Sequence, residues 1–211
     1  GTGNDYAWHT LGLPHEPRAA LQVALGGRPR TIDVARVNDT WVTNIFAAGL
    51  AGNVAWDVQE TLAAGRRWAQ GPARYTISIL RQILLYYHRL PVLEIRMDDQ
   101  PWGTHQMLTL AAMIGPTSGG GYQLAPAADP YDGQLDILLM RRMPRLKALQ
   151  VLPKTRTGRH LGEREVEMRR AGTVHIRGTG PVLAHVDGEP LRATAFEMRI
   201  MPGALTVMTP G

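Results

Sequence analysis

From about residue 92 to residue 207, apolar residues keep returning at every second position. Leu93, Ile95 and Met97 fall on one side while Glu94 and Arg96 fall on the other. Val166 and Met168, Val174 and Ile176, then Val182, Ala184 and Val186 repeat the pattern. So do Phe196, Met198 and Ile200, and finally Leu205 and Val207. A helix would scatter such residues around its axis, whereas a strand puts them on one face. Asp-Gly and Pro-Gly pairs separate several of these runs and mark tight reversals. The pattern predicts a chain that is mainly β with some helices (α+β), built as an antiparallel, sandwich-like unit over residues 31–211.

Helical spacing is confined to a few places. Asn4 and Asp5 have the chemistry of N-caps for a turn through Trp8 and Leu11, stopped by Gly12 and Pro14. A short helix is expected from Pro17 to Leu25, closed by Gly26 and Gly27. Val54, Val58 and Leu62 recur every four residues. Ile77, Leu80, Leu84 and Tyr87 do so over Tyr75 to Leu90, which predicts the longest helix, ended by Pro91. Pro144 fits the first turn of another through Leu146 and Leu149. The run from Trp41 to Phe46 is expected to be buried.

With 23 basic against 18 acidic residues the net charge is +5, which favours anionic partners. The chain has no cysteine, so disulfides, thiolate metal sites and cysteine nucleophiles are excluded. No apolar run approaches the ~18 residues of a membrane-spanning helix, and no signal-peptide pattern opens the chain. It starts at Gly1 without a methionine, which reads as a start within a longer protein.

Four segments carry possible chemistry. Gly1-Thr2-Gly3-Asn4-Asp5 is a glycine-rich turn opening a helix, suited either to a phosphate or to simple capping. Thr2 can donate a hydroxyl to a phosphate, and Asp5 can hold a magnesium ion or its water shell. Ser118-Gly119-Gly120-Gly121 permits close backbone approach, or is a flexible loop. Asp129 to Asp136 is an acidic turn in which Asp132 and nearby carbonyls can hold a hard cation, or form an Asx-type turn. In Val186-Asp187-Gly188-Glu189-Pro190, two carboxylates flank one glycine. This is an Asp-Gly hairpin, and also a place where a carboxylate can take a proton from an attacking hydroxyl. The histidines show no metal-ligand spacing, and His160 reads as structural. No Gly-x-Ser-x-Gly elbow of a serine hydrolase is present.

In order, these segments resemble the diacylglycerol kinase catalytic family, which includes soluble bacterial lipid kinases related to sphingosine and ceramide kinases. Gly1 to Ala7 is similar to its second nucleotide motif. Gly119 to Ala128, followed by Asp132-Gly133-Gln134-Leu135-Asp136, is similar to its central signature. Thr157-Gly158-Arg159-His160, Val186 to Pro190 and Met201 to Leu205 resemble three later ones. The resemblance covers nearly the whole chain. It implies a kinase of the NAD-kinase-like superfamily with ATP in a cleft between two domains. Residues 1–30 would be the tail of the nucleotide-binding α/β domain, and residues 31–211 the β-rich substrate domain. The family's Gly-Gly-Asp-Gly-Thr phosphate loop is absent, so the 211-residue chain alone is expected to be inactive.

Carried over residue by residue, the resemblance makes Thr2 a nucleotide contact and Asp5 part of the network around ATP-bound magnesium. It makes Glu189 the proton acceptor and Asp187 its neighbour in that network. It places a structural magnesium on Asp132 with the Asp129 and Gln134 carbonyls. ATP and Mg2+ are the implied cofactors. A lipid substrate held between the sheets, an anionic membrane surface and a homodimer are the implied partners. The implied location is the cytoplasm, peripheral to the inner face of the membrane. A non-catalytic lipid-binding module and a nicotinamide-nucleotide kinase relative remain alternatives. Beyond the high isoelectric point nothing points to nucleic acid.

Overall fold

The computed structural model describes residues 5–65 and 72–210. The period-two segments do form strands. In chain order they are β1 (Arg28–Val37), β2 (Thr40–Val42), β3 (Ile45–Gly49), β4 (Val92–Met97), β5 (Gln100–Met113), β6 (Leu135–Arg141), β7 (Val166–Ala171), β8 (Thr173–Val186) and β9 (Glu189–Thr209). Every pairing is antiparallel, in the order β2-β1-β9-β8-β3-β5-β6-β7, and β4 bridges β5 and β8. The helices are α1 (Pro17–Gly26), α2 (Leu50–Ala63), α3 (Pro72–Leu85) and α4 (Arg145–Val151).

The long strands β5, β8 and β9 let the sheet fold over on itself around one core. Phe46, Leu93, Ile95, Leu110, Ile137, Phe196 and Met198 meet inside it, with the two phenyl rings 5.0 Å apart. The space between the layers, expected to admit acyl chains, is filled by these side chains. A second core lies on the outer face of β3, β5 and β6. There Ala47, Leu108, Met113 and Leu138 are covered by Val54 and Val58 of α2 and by Ile83 of α3. Gly52 lets α2 lie directly on β8, because a Cβ there would run into the Leu183 carbonyl.

Several expectations change. β1 starts at Arg28, three residues early, and a bulge at Asp33 breaks its alternation. Trp41 is exposed, because Thr43 and Asn44 split the expected buried run into β2 and β3. Leu205 is exposed too, although its neighbours keep the strand. β5 has no expected counterpart. Its residues Met107 to Met113 are buried on both faces, so polar residues never mark a second side. The helix predicted over Tyr75 to Leu90 is α3 followed by a 3-10 turn, Tyr87–Arg89, and α2 equals α3 in length at 14 residues. Moreover, α3 is turned the other way. Tyr75, Ile79 and Ile83 pack inward, while Ile77, Leu80 and Leu84 face outward. The inward side also holds Ser78, whose hydroxyl donates to Asp57 of α2 at 2.7 Å.

Candidate functional site

Three carboxylates stitch together the loops around Tyr6, and each does so through backbone N–H groups. Asp5 does not cap the helical turn that follows it. Its Oδ2 and Oδ1 accept from the Gly120 and Gly121 N–H groups at 2.8 and 2.6 Å. Gly119, Gly120 and Gly121 all have positive φ, which turns those N–H groups toward the carboxylate. The glycine run is therefore a clamped loop, and these two donors are already used. Thr2, its expected companion, lies outside the described residues.

Asp33, which sequence reading passed over, is the second clamp. It sits buried at the β1 bulge and accepts from the Gly133 N–H at 2.7 Å and the Gly203 N–H at 2.8 Å. It thus ties the acidic turn to the Met201-to-Leu205 motif. The one available signal was an acid interrupting the apolar positions Ile32, Val34 and Ala35.

Asp187 is the third. It occupies a two-residue hairpin with Gly188, at φ 49° and 96°, the geometry of a type I′ turn. Its Oδ2 accepts from the Thr43 N–H and hydroxyl, both at 2.8 Å. Its Oδ1 accepts from the Asn44 N–H at 3.0 Å and the Ile45 N–H at 2.8 Å. Asn44 in turn donates to the Thr117 carbonyl at 3.0 Å, linking this hairpin to the clamped glycine loop. Glu189, the first residue of β9, is exposed. Among the described residues no hydrogen bond or ion pair reaches its carboxylate. The two carboxylates expected to act together are therefore differently placed, one held against β3 and one open to solvent.

The Tyr6 phenol lies buried among these clamps. Burial pushes its pKa far up, and Tyr131, Asp187 and Asp33 add to the effect. It stays a neutral hydroxyl at every working pH.

The acidic turn takes the Asx-type form that the sequence allowed. The Asp132 carboxylate pairs with Arg170 and accepts from the Gln134 N–H at 3.0 Å, while Asp129 Oδ1 accepts from the Tyr131 N–H at 3.1 Å. Among the described residues no three His, Asp or Glu side chains form a metal-binding group. However, Asp136 Oδ2 is buried without a donor, and burial, aided by Asp129, raises its pKa to about 6. Arg170 Nε stands 3.6 Å from the other Asp136 oxygen, and a carboxylate oxygen without a donor is the kind of ligand a hard cation takes.

His160, expected to be a satisfied structural residue, has its Nδ1 buried without a hydrogen-bond partner among the described residues. It is fully buried, with Nε2 3.2 Å from the Leu124 carbonyl. His185 is also buried, and its Nδ1 accepts from the Gly188 N–H at 3.3 Å. Burial lowers its pKa to about 4, although Asp187 opposes the shift. The unfolded chain would bind a proton here near pH 6.5, while the folded chain resists one until about pH 4. The contribution is therefore complete above ~6.5 and lost progressively as pH falls toward 4. A His185→Gln variant should show a flatter stability profile over this window in urea titrations. An unchanged slope would remove His185 as its source.

Comparison with known proteins agrees with this architecture. Residues 47–209 match the family described as the YegS C-terminal NAD kinase beta sandwich-like domain. The whole chain is 34% identical, over 220 residues, to a protein of Mycobacterium tuberculosis named "Diacylglycerol kinase", of which it covers 67%. It is 30% identical to one of Chromohalobacter salexigens named "Probable lipid kinase YegS-like", of which it covers 65%. A crystal structure of a diacylglycerol kinase from Bacillus anthracis superposes on 99% of the chain with a TM-score of 0.66 at 16% identity. The match covers 64% of that structure, and at this identity it speaks to fold alone. The chain spans about two thirds of the length of these relatives. On the strength of the strand topology, the matched domain and these relatives, the chain belongs to the YegS/diacylglycerol kinase family, and it corresponds to that family's C-terminal portion.

Proposed function

We propose that this chain is the acceptor-side portion of a lipid kinase that transfers the γ-phosphoryl group of ATP to a lipid hydroxyl, with diacylglycerol as the reference substrate. One observation carries the reading. Around the Asp187–Gly188 hairpin, Asp5, Asp33 and Asp187 are all committed to backbone donors, whereas Glu189 keeps an open carboxylate. A lipid hydroxyl is far too weak an acid to ionise at neutral pH, so a positioned base must take its proton during transfer. In this step the hydroxyl O–H bond breaks as its oxygen bonds to the γ-phosphorus. The bond from that phosphorus to the ADP oxygen breaks, and the proton goes to Glu189. The Gly120 and Gly121 N–H groups already serve Asp5, so they are not assigned to the ATP phosphates. On the family resemblance, holding ATP is assigned to Thr2 and to the nucleotide-binding domain of such kinases.

The test is transfer of γ-labelled phosphate to detergent-dispersed diacylglycerol by a protein in which such a domain precedes this chain. Labelled phosphatidate is expected. Lipid binding without label transfer would favour a non-catalytic lipid-binding module.

Magnesium is proposed at the acidic turn, on Asp132 with the Asp129 and Gln134 carbonyls. Bound there, the ion would offset carboxylate repulsion and stiffen the turn before β6. The orphaned Asp136 oxygen supports this reading. Asp132→Ala should lower the melting temperature more in magnesium than in chelator. Equal losses would leave the Arg170 ion pair and the Gln134 N–H bond as the whole of the Asp132 contribution.

A further inference from the structure

The acidic turn before β6 holds more negative charge than its ion pairs balance. It carries Asp129, Asp132 and Asp136, and among the described residues only Arg170 forms an ion pair with any of them. Arg30 is close but lies on the Tyr131 ring, 3.6 Å from its centroid, and pairs with none of the three. One guanidinium against three carboxylates leaves two charges unbalanced.

Arg170 stands between two of these carboxylates. Its guanidinium pairs with Asp132 Oδ2, while its Nε is 3.6 Å from Asp136 Oδ1, too far for a hydrogen bond. Asp132 Oδ1 accepts from the Gln134 N–H at 3.0 Å, so both Asp132 oxygens are taken. Asp136 is the reverse case, because it is 5% exposed and its Oδ2 has no donor. A buried carboxylate oxygen in that state carries a desolvation cost that a cation removes.

The same arginine can reach it. Asp136 on β6 and Arg170 on β7 are direct cross-strand partners, so their side chains share one face. A small rotation closes the 3.6 Å gap to the about 2.8 Å of a charge-assisted hydrogen bond. The Arg170 side chain is 47% exposed and borders a groove of about 550 Å³ shared with Trp102, Glu167 and Arg169, which gives it room to turn. The turn itself is fixed from its other side. The Gly133 N–H donates to Asp33, and the Asp33 N–H donates to the Pro130 carbonyl at 2.8 Å. Arg170 is therefore the movable part, and a divalent cation supplies the two charges that it leaves unbalanced.

We propose that Arg170 is the internal counter-ion of the acidic turn. It holds Asp132 in the metal-free protein and passes to Asp136 when magnesium takes the Asp132 oxygen. Arg170 thereby sets the affinity of the turn for magnesium, and the exchange gives the orphaned Asp136 carboxylate its donor. This deepens the magnesium reading of the turn and rests on it.

The test is calorimetric titration of this chain with magnesium chloride at neutral pH and constant ionic strength, with melting temperatures measured in parallel. Each variant is compared with its own baseline in chelator, so a general loss of stability does not enter. Arg170→Gln should bind magnesium about tenfold more tightly than the parent, since no ion pair has to be given up. Asp136→Asn should weaken binding by the parent, because an amide holds the displaced guanidinium poorly. In the Arg170→Gln background the same Asp136→Asn change should cost much less. Asp132→Asn should remove the binding. Should Arg170→Gln fail to fold, Arg170→Lys takes its place. A lysine ammonium lacks the planar fork and is strongly hydrated, so it holds Asp132 less firmly and tighter magnesium binding is again expected.

Parental affinity in the Arg170 variant, with binding still lost in Asp132→Asn, overturns the role of Arg170 and leaves the magnesium site standing. An equal Asp136→Asn loss in both backgrounds also overturns it, because Asp136 would then act on the metal directly. Magnesium binding by Arg170→Gln but not by the parent supports the proposal, the guanidinium then keeping the metal out. Absence of binding in both overturns the proposal together with the magnesium reading.

Discussion

Glu189→Gln, in a protein where a nucleotide domain precedes this chain, should reduce lipid phosphorylation by about 10²–10⁴-fold and leave folding untouched. Both halves of the expectation come from the same geometry. The side chain is exposed, and no hydrogen bond or ion pair from the described residues holds it, so its replacement by an amide of equal size releases nothing. The chemistry changes sharply, since an amide cannot take the hydroxyl proton. The loss corresponds to roughly 3–5 kcal/mol of transition-state stabilisation. ATP binding should be nearly unchanged, because the phosphates are assigned elsewhere. Glu189→Asp keeps a base at the wrong reach and should recover part of the rate. Full turnover by the glutamine variant would leave the fold and family standing and remove Glu189 as the base.

How much of this was legible in the sequence depended on whether a segment had two unlike sides. β4 alternates buried and exposed residues from Leu93 to Met97, and β9 does the same from Phe196 to Ile200, so both could be read directly. β5 could not, because Leu110 faces one core and Ala111 the other. The orientation of α3 failed for a related reason. Its Ile77-Leu80-Leu84 stripe and its Tyr75-Ile79-Ile83 stripe are both apolar, and periodicity ranks neither. Tertiary contact chose the second, and the Asp57 bridge to Ser78 and Arg81 accompanies that choice. The candidate site was legible as motifs but not as partners. The Asp187-Gly188 turn is a local signal, yet its acceptors' donors lie at Thr43, Asn44 and Ile45, more than 140 residues away. Asp5 and the glycine run were each visible, and nothing local joined them across 115 residues.

Asp187→Ala should behave in the opposite way from Glu189→Gln, losing stability first and turnover as a consequence. The Asp187 carboxylate accepts from three consecutive backbone N–H groups and a hydroxyl, so it fixes the link between β2 and β3 against the hairpin. Water can replace it at Thr43, which is half-buried with a bond on the exposed side. It cannot easily do so at Asn44 and Ile45, which are buried. Leaving those two donors unpaired costs about 1–3 kcal/mol each. Alanine also tolerates the positive φ of this position, 49°, less well than aspartate or asparagine does. A net loss of about 3 kcal/mol is expected, which for a chain of this size lowers the melting temperature by roughly 6–12 °C. Asp187→Asn keeps one acceptor oxygen and the turn preference, so its loss should be about half as large. In both variants phosphorylation should fall, because Glu189 begins the strand that leaves this turn. Cooling should recover part of the alanine variant's activity, whereas it should recover none of the activity lost in Glu189→Gln. An Asp187→Ala protein with parental melting behaviour and reduced turnover would overturn the clamp and return Asp187 to a direct part in the chemistry.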